Sequence, residues 1–497
     1  MLYRPSSPKK LWDCTLYCAN GTYHIFYLSS GNLGHVCTRD FVQYTELPDI
    51  EGFGVPGAWN ERGLFLTGCI VPVGTGYKML LGTIEPSTQR QVYGLYTSDD
   101  LIHWTQYEHN PVLFADGVLY DDAYSPRDGG MYTAWRDPQV YRIEDGWYYL
   151  CLCARLKEHA DDSTGAAIAN VRTRDFIRYE YLPPLSEVGH LVKYAECPDC
   201  FSFRGDEYLT FLDHGWGGNA IHTLSVKGAA GTFYQIRRRG DAAYETPRDF
   251  LLLGSSDDRQ CGWAARTALS ADGQRILYYH VTAENSSFGI PKLIRRNPSG
   301  SLRLQFFPAM RALIGEPIGY GFEKNFAGDT GSWVPSSDRT IAGSAKEYGS
   351  AKPLCETGAF VLECVLQIER GKRAGISLWQ TPENEAVSVT FDCETQSVRC
   401  ENLYYTPCEG FGYAAGDIVN GGKVRECDRR AFRIRYGKAY SLKLFARDKT
   451  VDFYIDDTWI FCKRFPEAAD HGTLSLFVSR AAAEFRDIRI SSFRGQS

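Results

Sequence analysis

The sequence predicts an all-β protein, a five-bladed β-propeller over residues 1–310 followed by a C-terminal β-sandwich over residues 320–497. Three observations predict it. The composition holds 31 Tyr and 27 Phe against 4 Met, a strand-forming balance. One short pattern, a Gly turn followed by an aromatic-rich apolar run, recurs five times. From about residue 320 the texture changes to short alternating segments joined by Gly, Asp and Asn turns, as in a two-sheet sandwich.

The five copies are "NGTYHIFYL" (20–28), "GTGYKMLLG" (74–82), "EDGWYYLCLC" (144–153), "RGDEYLTFL" (204–212) and "ADGQRILYYH" (271–280). Glycine permits φ > 0 in the turn, so each copy reads as a hairpin. The runs are apolar enough for sheets buried on both faces. A single sheet cannot bury both, whereas radial packing of several can. A second marker follows the first three copies: "TRDFVQYTEL" (38–47), "TSDDLIHWTQ" (97–106) and "TRDFIRYEYL" (173–182). Gly-aromatic hairpins occur in any β protein, but five at comparable spacing, three with a shared second marker, point to blades. Helical signals are sparse; "RLKEHADDSTGAAIA", near 155–170, reads as a turn or two. In the second half, "DKTVDFYIDDTWIF" is a hairpin with period-2 alternation.

A net charge of −6, without long blocks, gives no support to nucleic-acid or anionic-membrane partners. No run approaches the roughly 18 apolar residues of a spanning helix. The first residues, "MLYRPSSPKKLWDC", lack the apolar stretch of a signal peptide, so the expected location is cytoplasmic. The 16 cysteines then read mainly as small buried hydrophobes. The one CxxC, Cys197–Cys200, has no second ligand pair nearby and no following helix, so metal or redox use is the weaker reading.

Three acids occupy matching places, each on the strand before a repeat hairpin. Asp13 lies in "KKLWDCTLYCANGTYHIFYL", Asp137 in "AWRDPQVYRIEDGWYYL" and Glu196 in "KYAECPDCFSFRGDEYL". In a propeller the first strand of each blade lines the central channel, so these carboxylates should meet around one axis. Glycoside cleavage needs such a set: one carboxylate to attack, one to donate a proton, and further charge for an oxocarbenium-like transition state. A lone Asp or Glu is usually a solvated turn residue, but three at equivalent repeat positions are not. The small apolar flanks of Glu196, namely Ala195, Cys197 and Pro198, would desolvate its carboxyl.

The motifs resemble glycoside hydrolase family 32, the invertase and fructan-hydrolase family. "WRDPQV" resembles its Arg-Asp-Pro motif, "ECPD" its Glu-Cys-Pro motif and "GHVCTRDFVQYTELP" (34–48) the stretch after its first strand. "ARTALSADGQRILYYHV" (265–281) is similar to its fifth-blade segment. The resemblance implies a five-bladed propeller with a C-terminal sandwich and a retaining β-fructofuranosidase acting on sucrose or short fructo-oligosaccharides. It implies Asp13 as nucleophile, Glu196 as general acid/base and Asp137 as transition-state stabiliser. Arg136 would anchor Asp137 or a sugar hydroxyl, and Trp12 and Trp263 would offer apolar faces to the sugar. The first motif departs from the family: "LWDCTLY" stands where Trp-Met-Asn-Asp-Pro-Asn-Gly is usual, and "LTGC" (66–69) matches the second-blade motif only loosely.

Two alternatives stand beside this reading. One is an inverting five-bladed hydrolase of the arabinofuranosidase or xylosidase type, whose carboxyls lie farther apart. The other is a catalytically inactive carbohydrate-binding protein. No cofactor is expected; the expected partner is a small saccharide, with homo-oligomerisation left open by the sequence.

Overall fold

A computed structural model describes residues 2–6, 8–64, 66–123, 134–159, 165–192, 194–213, 230–255, 262–281, 286–320, 331–351, 355–382, 385–404, 413–414, 417–418, 423–466 and 468–495. The chain divides into two compact units, one holding Leu2–Gly254 with Cys261–Phe307 and the other Pro308–Gly495.

The first unit carries four propeller blades, each an antiparallel sheet of four strands in chain order. They are β1 (Cys14–Ala19), β2 (Thr22–Ser29), β3 (Asn32–Thr38) and β4 (Tyr44–Ile50); then β5 (Leu66–Val73), β6 (Gly76–Ile84), β7 (Gln91–Ser98) and β8 (Thr105–Gln106). The third holds β9 (Trp135–Glu144), β10 (Trp147–Arg155), β11 (Ala166–Thr173) and β12 (Tyr179–Glu187), and the fourth β13 (Glu196–Phe203), β14 (Asp206–Asp213), β15 (Ala230–Arg237) and β16 (Leu251–Ser255). A further antiparallel run follows: β17 (Gly262–Leu269), β18 (Arg275–Val281), β19 (Ser287–Phe288), β20 (Lys292–Arg296) and β21 (Leu302–Phe306). There β18 pairs with β17, β19 and β20, and β20 with β21.

The five sequence repeats fall on β2, β6, β10, β14 and β18, each the second strand of its set. Three of their turns are two residues long with both residues at positive φ: Asn20-Gly21, Asp145-Gly146 and Arg204-Gly205. That is the hairpin geometry whose twist matches the flanking strands. The "TRDF" marker is a repeated knot. Asp40 Oδ1 accepts from the amides of Val42 and Gln43, and Thr38 Oγ1 from that of Phe41, which sits at φ 59°. Asp100 with Ser98, and Asp175 with Thr173, repeat this around Leu101 and Phe176. The side-chain oxygens satisfy amides that no strand partner reaches. Around 155–170 the structure has one 3-10 turn, Lys157–His159, and then strand; residues 160–164 lie outside the described residues.

Side by side, the first strands are neighbours: β1 with β5, β5 with β9, β9 with β13, β13 with β17, and β17 with β1. The second unit is built on two long strands, Phe360–Gln380 and Gly472–Phe493, paired antiparallel. The first half of Phe360–Gln380 also pairs with Ala439–Arg447, and its second half with Ala386–Asp392. Buried Ile, Leu, Val and Phe from these strands form one continuous core.

Candidate active site

The first strands share one irregularity. Register slips between Leu66 and Cys69, between Arg136 and Gln139, between Glu196 and Asp199, and between Trp263 and Arg266, so two residues face one partner each time. On the first sheet Trp12 N donates to Leu28 O while Leu28 N donates to Asp13 O, so two residues again share one partner. Such bulges turn a side chain out of the regular alternation. Asp137, Cys197 and Ala264 sit at φ 63°, 48° and 49° within them, conformations uncommon for residues with a side chain. At Gly68 a Cβ would lie 1.8 Å from Leu80 O, so the second bulge requires glycine.

The bulges bring Asp13, Asp137 and Glu196 to one place. Cys197 N, the amide next to Glu196, donates to Asp137 Oδ2 at 2.9 Å. Thr67, on the neighbouring bulge, donates to Asp13 Oδ2 at 3.1 Å, and His280 Nε2 lies 3.2 Å from Asp13 Oδ1. Asp137 is buried, its side chain 4% exposed, whereas that of Asp13 is 36% exposed. Burial pushes the Asp137 carboxyl up to about 6. Arg266 and Arg136 pull it back, and the negative charges of Glu196 and Asp13 add to the rise.

Two buried groups clamp this arrangement from below. Arg266 gives Nη1 to Gly68 O at 2.7 Å and Nη2 to Asp137 O at 2.8 Å, tying two bulges to β17. The Tyr93 hydroxyl accepts from Asp137 N at 2.7 Å and donates to Thr67 O at 3.2 Å. Together they hold the Asp137 backbone at both its N–H and its carbonyl.

Arg136 turns mainly to a partner that the sequence did not point to. Its Nε reaches Asp137 Oδ2 only at 4.0 Å, the outer edge of an ion pair. Its Nε, at 3.0 Å, and Nη2, at 2.5 Å, both donate to Glu196 Oε1, and its guanidinium lies 5.2 Å from the Tyr194 ring centroid. The surroundings of Glu196 are therefore not only the small apolar flanks read from the sequence. The turn of the bulge aims Arg136 across to the next strand, where the carboxylate offers a charge-assisted bond that Asp137 cannot match in direction. Trp12 is 42% exposed, with its ring edge-on to the His280 imidazole at 6.3 Å. Trp263 is half-buried and paired in register with His280.

Thr67, Tyr93, Arg266 and His280 were not singled out by sequence reasoning. Thr67 stands in "LTGC", Arg266 in "ARTALS" and His280 at the end of "ADGQRILYYH"; only their repeat positions could have marked them. Among the described residues no group of three or more His, Cys, Asp or Glu is placed to hold a metal ion, and Cys197 and Cys200 are both free thiols.

The family model for the glycosyl hydrolases family 32 N-terminal domain matches residues 13–281. The chain belongs to glycoside hydrolase family 32. It is 24% identical over 295 residues to a rice (Oryza sativa subsp. japonica) β-fructofuranosidase, insoluble isoenzyme 7, covering 55% of this chain and 44% of that protein. It is 30% identical over 252 residues to the Festuca arundinacea sucrose:sucrose 1-fructosyltransferase, covering 48% of this chain and 34% of that one. The chain thus spans less than half the length of these two relatives. In fold it is similar to the Bombyx mori GH32 β-fructofuranosidase, with a TM-score of 0.67 and 16% identity over 99% of this chain and 93% of that one.

Proposed function

We propose that this family 32 chain is a retaining β-fructofuranosidase acting on sucrose or short fructo-oligosaccharides. The observation that carries this reading is the meeting of Asp13, Asp137 and Glu196 on neighbouring bulges, with Arg136 bonded to Glu196 and Arg266 to the Asp137 carbonyl. Asp13 attacks the anomeric carbon, and the glycosidic oxygen leaves with its electron pair and takes a proton from Glu196. Water then attacks the same carbon, gives its proton to Glu196 and returns the electron pair to Asp13. Asp137, when ionised, holds ring hydroxyls and stabilises the positive charge of the transition state. The Arg136 fork favours an ionised Glu196, the form needed as base in the second step. In the first step an entering sugar draws the guanidinium onto its hydroxyls and lets Glu196 carry the proton. Trp12 and Trp263 flank the sugar.

We read residues 1–310 as a five-bladed catalytic propeller; the neighbouring of β17 with both β13 and β1 supports a fifth blade closing the ring. Residues 320–497 are read as a sandwich, supported by the long strands whose halves recruit different partners. The fourteen described cysteines are all free, which supports a cytoplasmic place.

Incubation with sucrose, short fructans and aryl arabinofuranosides, with products followed by chromatography and the first-formed anomer by NMR, tests the reading. Fructose released with retained configuration is expected. Inversion rules out the double displacement, release from arabinofuranosides alone moves the chain to the alternative hydrolase class, and no release from any leaves a binding protein.

A further inference from the structure

His280 touches Asp13, and the proposed mechanism does not use it. Its side chain is 3% exposed. Nε2 faces Asp13 Oδ1 at 3.2 Å, while Nδ1 is buried with no hydrogen-bond partner among the described residues. A bare Nε2 would set a lone pair against a carboxylate oxygen, so Nε2 carries a proton and donates it to Asp13. Thr67 holds the other oxygen, so each Asp13 oxygen carries one donor, from β18 on one side and the second bulge on the other.

We propose that His280 is a positioning residue for Asp13, donating from Nε2 to Oδ1 and fixing, with Thr67, the plane of the carboxylate. The proposal rests on Asp13 being the nucleophile. The donor remains in place through both steps and transfers no proton. It orients the attacking lone pair, and when the fructosyl–Oδ bond breaks it meets the electron pair returning to Asp13. Its help therefore falls most on breakdown of the covalent intermediate, where the carboxylate is the leaving group.

The test compares the parent with His280→Phe, which keeps an aromatic ring without a donor, and His280→Gln, whose amide nitrogen reaches a similar point. On sucrose, H280F should lose about 10- to 100-fold in kcat with a much smaller change in KM. Quenched reactions should show more fructosyl-enzyme by mass spectrometry, and H280Q should regain most of the rate. Unchanged kcat in H280F, or H280Q as impaired as H280F, overturns the proposal while leaving the hydrolase reading intact. A parent without fructosidase activity overturns the reading instead. The ring itself is then decided by 15N NMR of the parent at neutral pH, with the His280 signals assigned by their loss in H280Q. The expected pattern is a protonated Nε2; a bare Nε2, as in the Nδ1–H tautomer, overturns the hydrogen bond on which the proposal stands.

Discussion

Two buried aspartates, each near two arginines, behave in opposite ways. In the second unit Asp392 is fully buried, taking Nε of Arg373 at 2.9 Å and Nη2 of Arg399 at 2.6 Å. Burial pushes its carboxyl up, but the Thr395 amide and the two guanidiniums outweigh it and hold it below the usual range. In the first unit Asp137 is buried beside Arg136 and Arg266, and burial wins. The difference lies in where the guanidiniums point. Those in the second unit bond the carboxylate itself. In the first, Arg136 is drawn to Glu196 and Arg266 to backbone carbonyls, leaving Asp137, among the described residues, one amide donor and two carboxylates for company. A matched ion network is how a chain tolerates buried charge. Incompletely matched acids that share one centre are how it keeps a group able to titrate near neutrality.

The comparison can be broken most directly at the acids of the first unit. Asp13→Ala and Glu196→Ala should each lower fructose release from sucrose by on the order of 10³-fold or more, with melting temperatures near the parent's. A variant that turns over like the parent takes its residue out of the mechanism. The reverse pattern is expected at Asp392→Ala, which leaves two buried guanidiniums without their carboxylate. It should cost about 3–5 kcal/mol in denaturant unfolding, with kcat per folded molecule unchanged.

Acid sharpens the same contrast. Asp137 should be half protonated near pH 6, so kcat/KM should fall on the acid side of about that value, and Asp137→Asn should abolish this limb together with most activity. The two aspartates also pull stability in opposite directions. Asp137 binds its proton in the fold before it does so unfolded, so it favours the fold increasingly as pH falls from about 6 toward the ordinary carboxylate range. Asp392, held low in the fold, stabilises above that range and loses its contribution below it. The smallest effect is expected at a blade knot. Asp40→Ala removes the acceptor for two amides and should cost about 1 kcal/mol in thermal or denaturant unfolding, with no change in kinetics.

Local features were readable because they depend on neighbours in the chain. Asn20-Gly21 and Asp145-Gly146 make hairpins wherever alternating apolar runs flank them, and "TRDF" closes its knot within six residues. The three acids were readable because repetition places equivalent positions together. Their partners were not. A bulge shifts which side chain turns inward by one residue, and nothing local in "WRDPQV" separates an Arg136 that serves Asp137 from one that crosses to Glu196.

By itself, then, the sequence determined the strands, their turns, the repeat that stacks them and the three acids that repeat brings together, since each follows from residues close along the chain. Only the tertiary structure decided who serves those acids. Thr67 reaches Asp13 from 54 residues away, Arg136 reaches Glu196 from 60, and His280 reaches Asp13 from 267. Hydrogen bonds are satisfied by whatever donor packing delivers within about 3 Å, and that is set by how the sheets assemble and where their bulges fall.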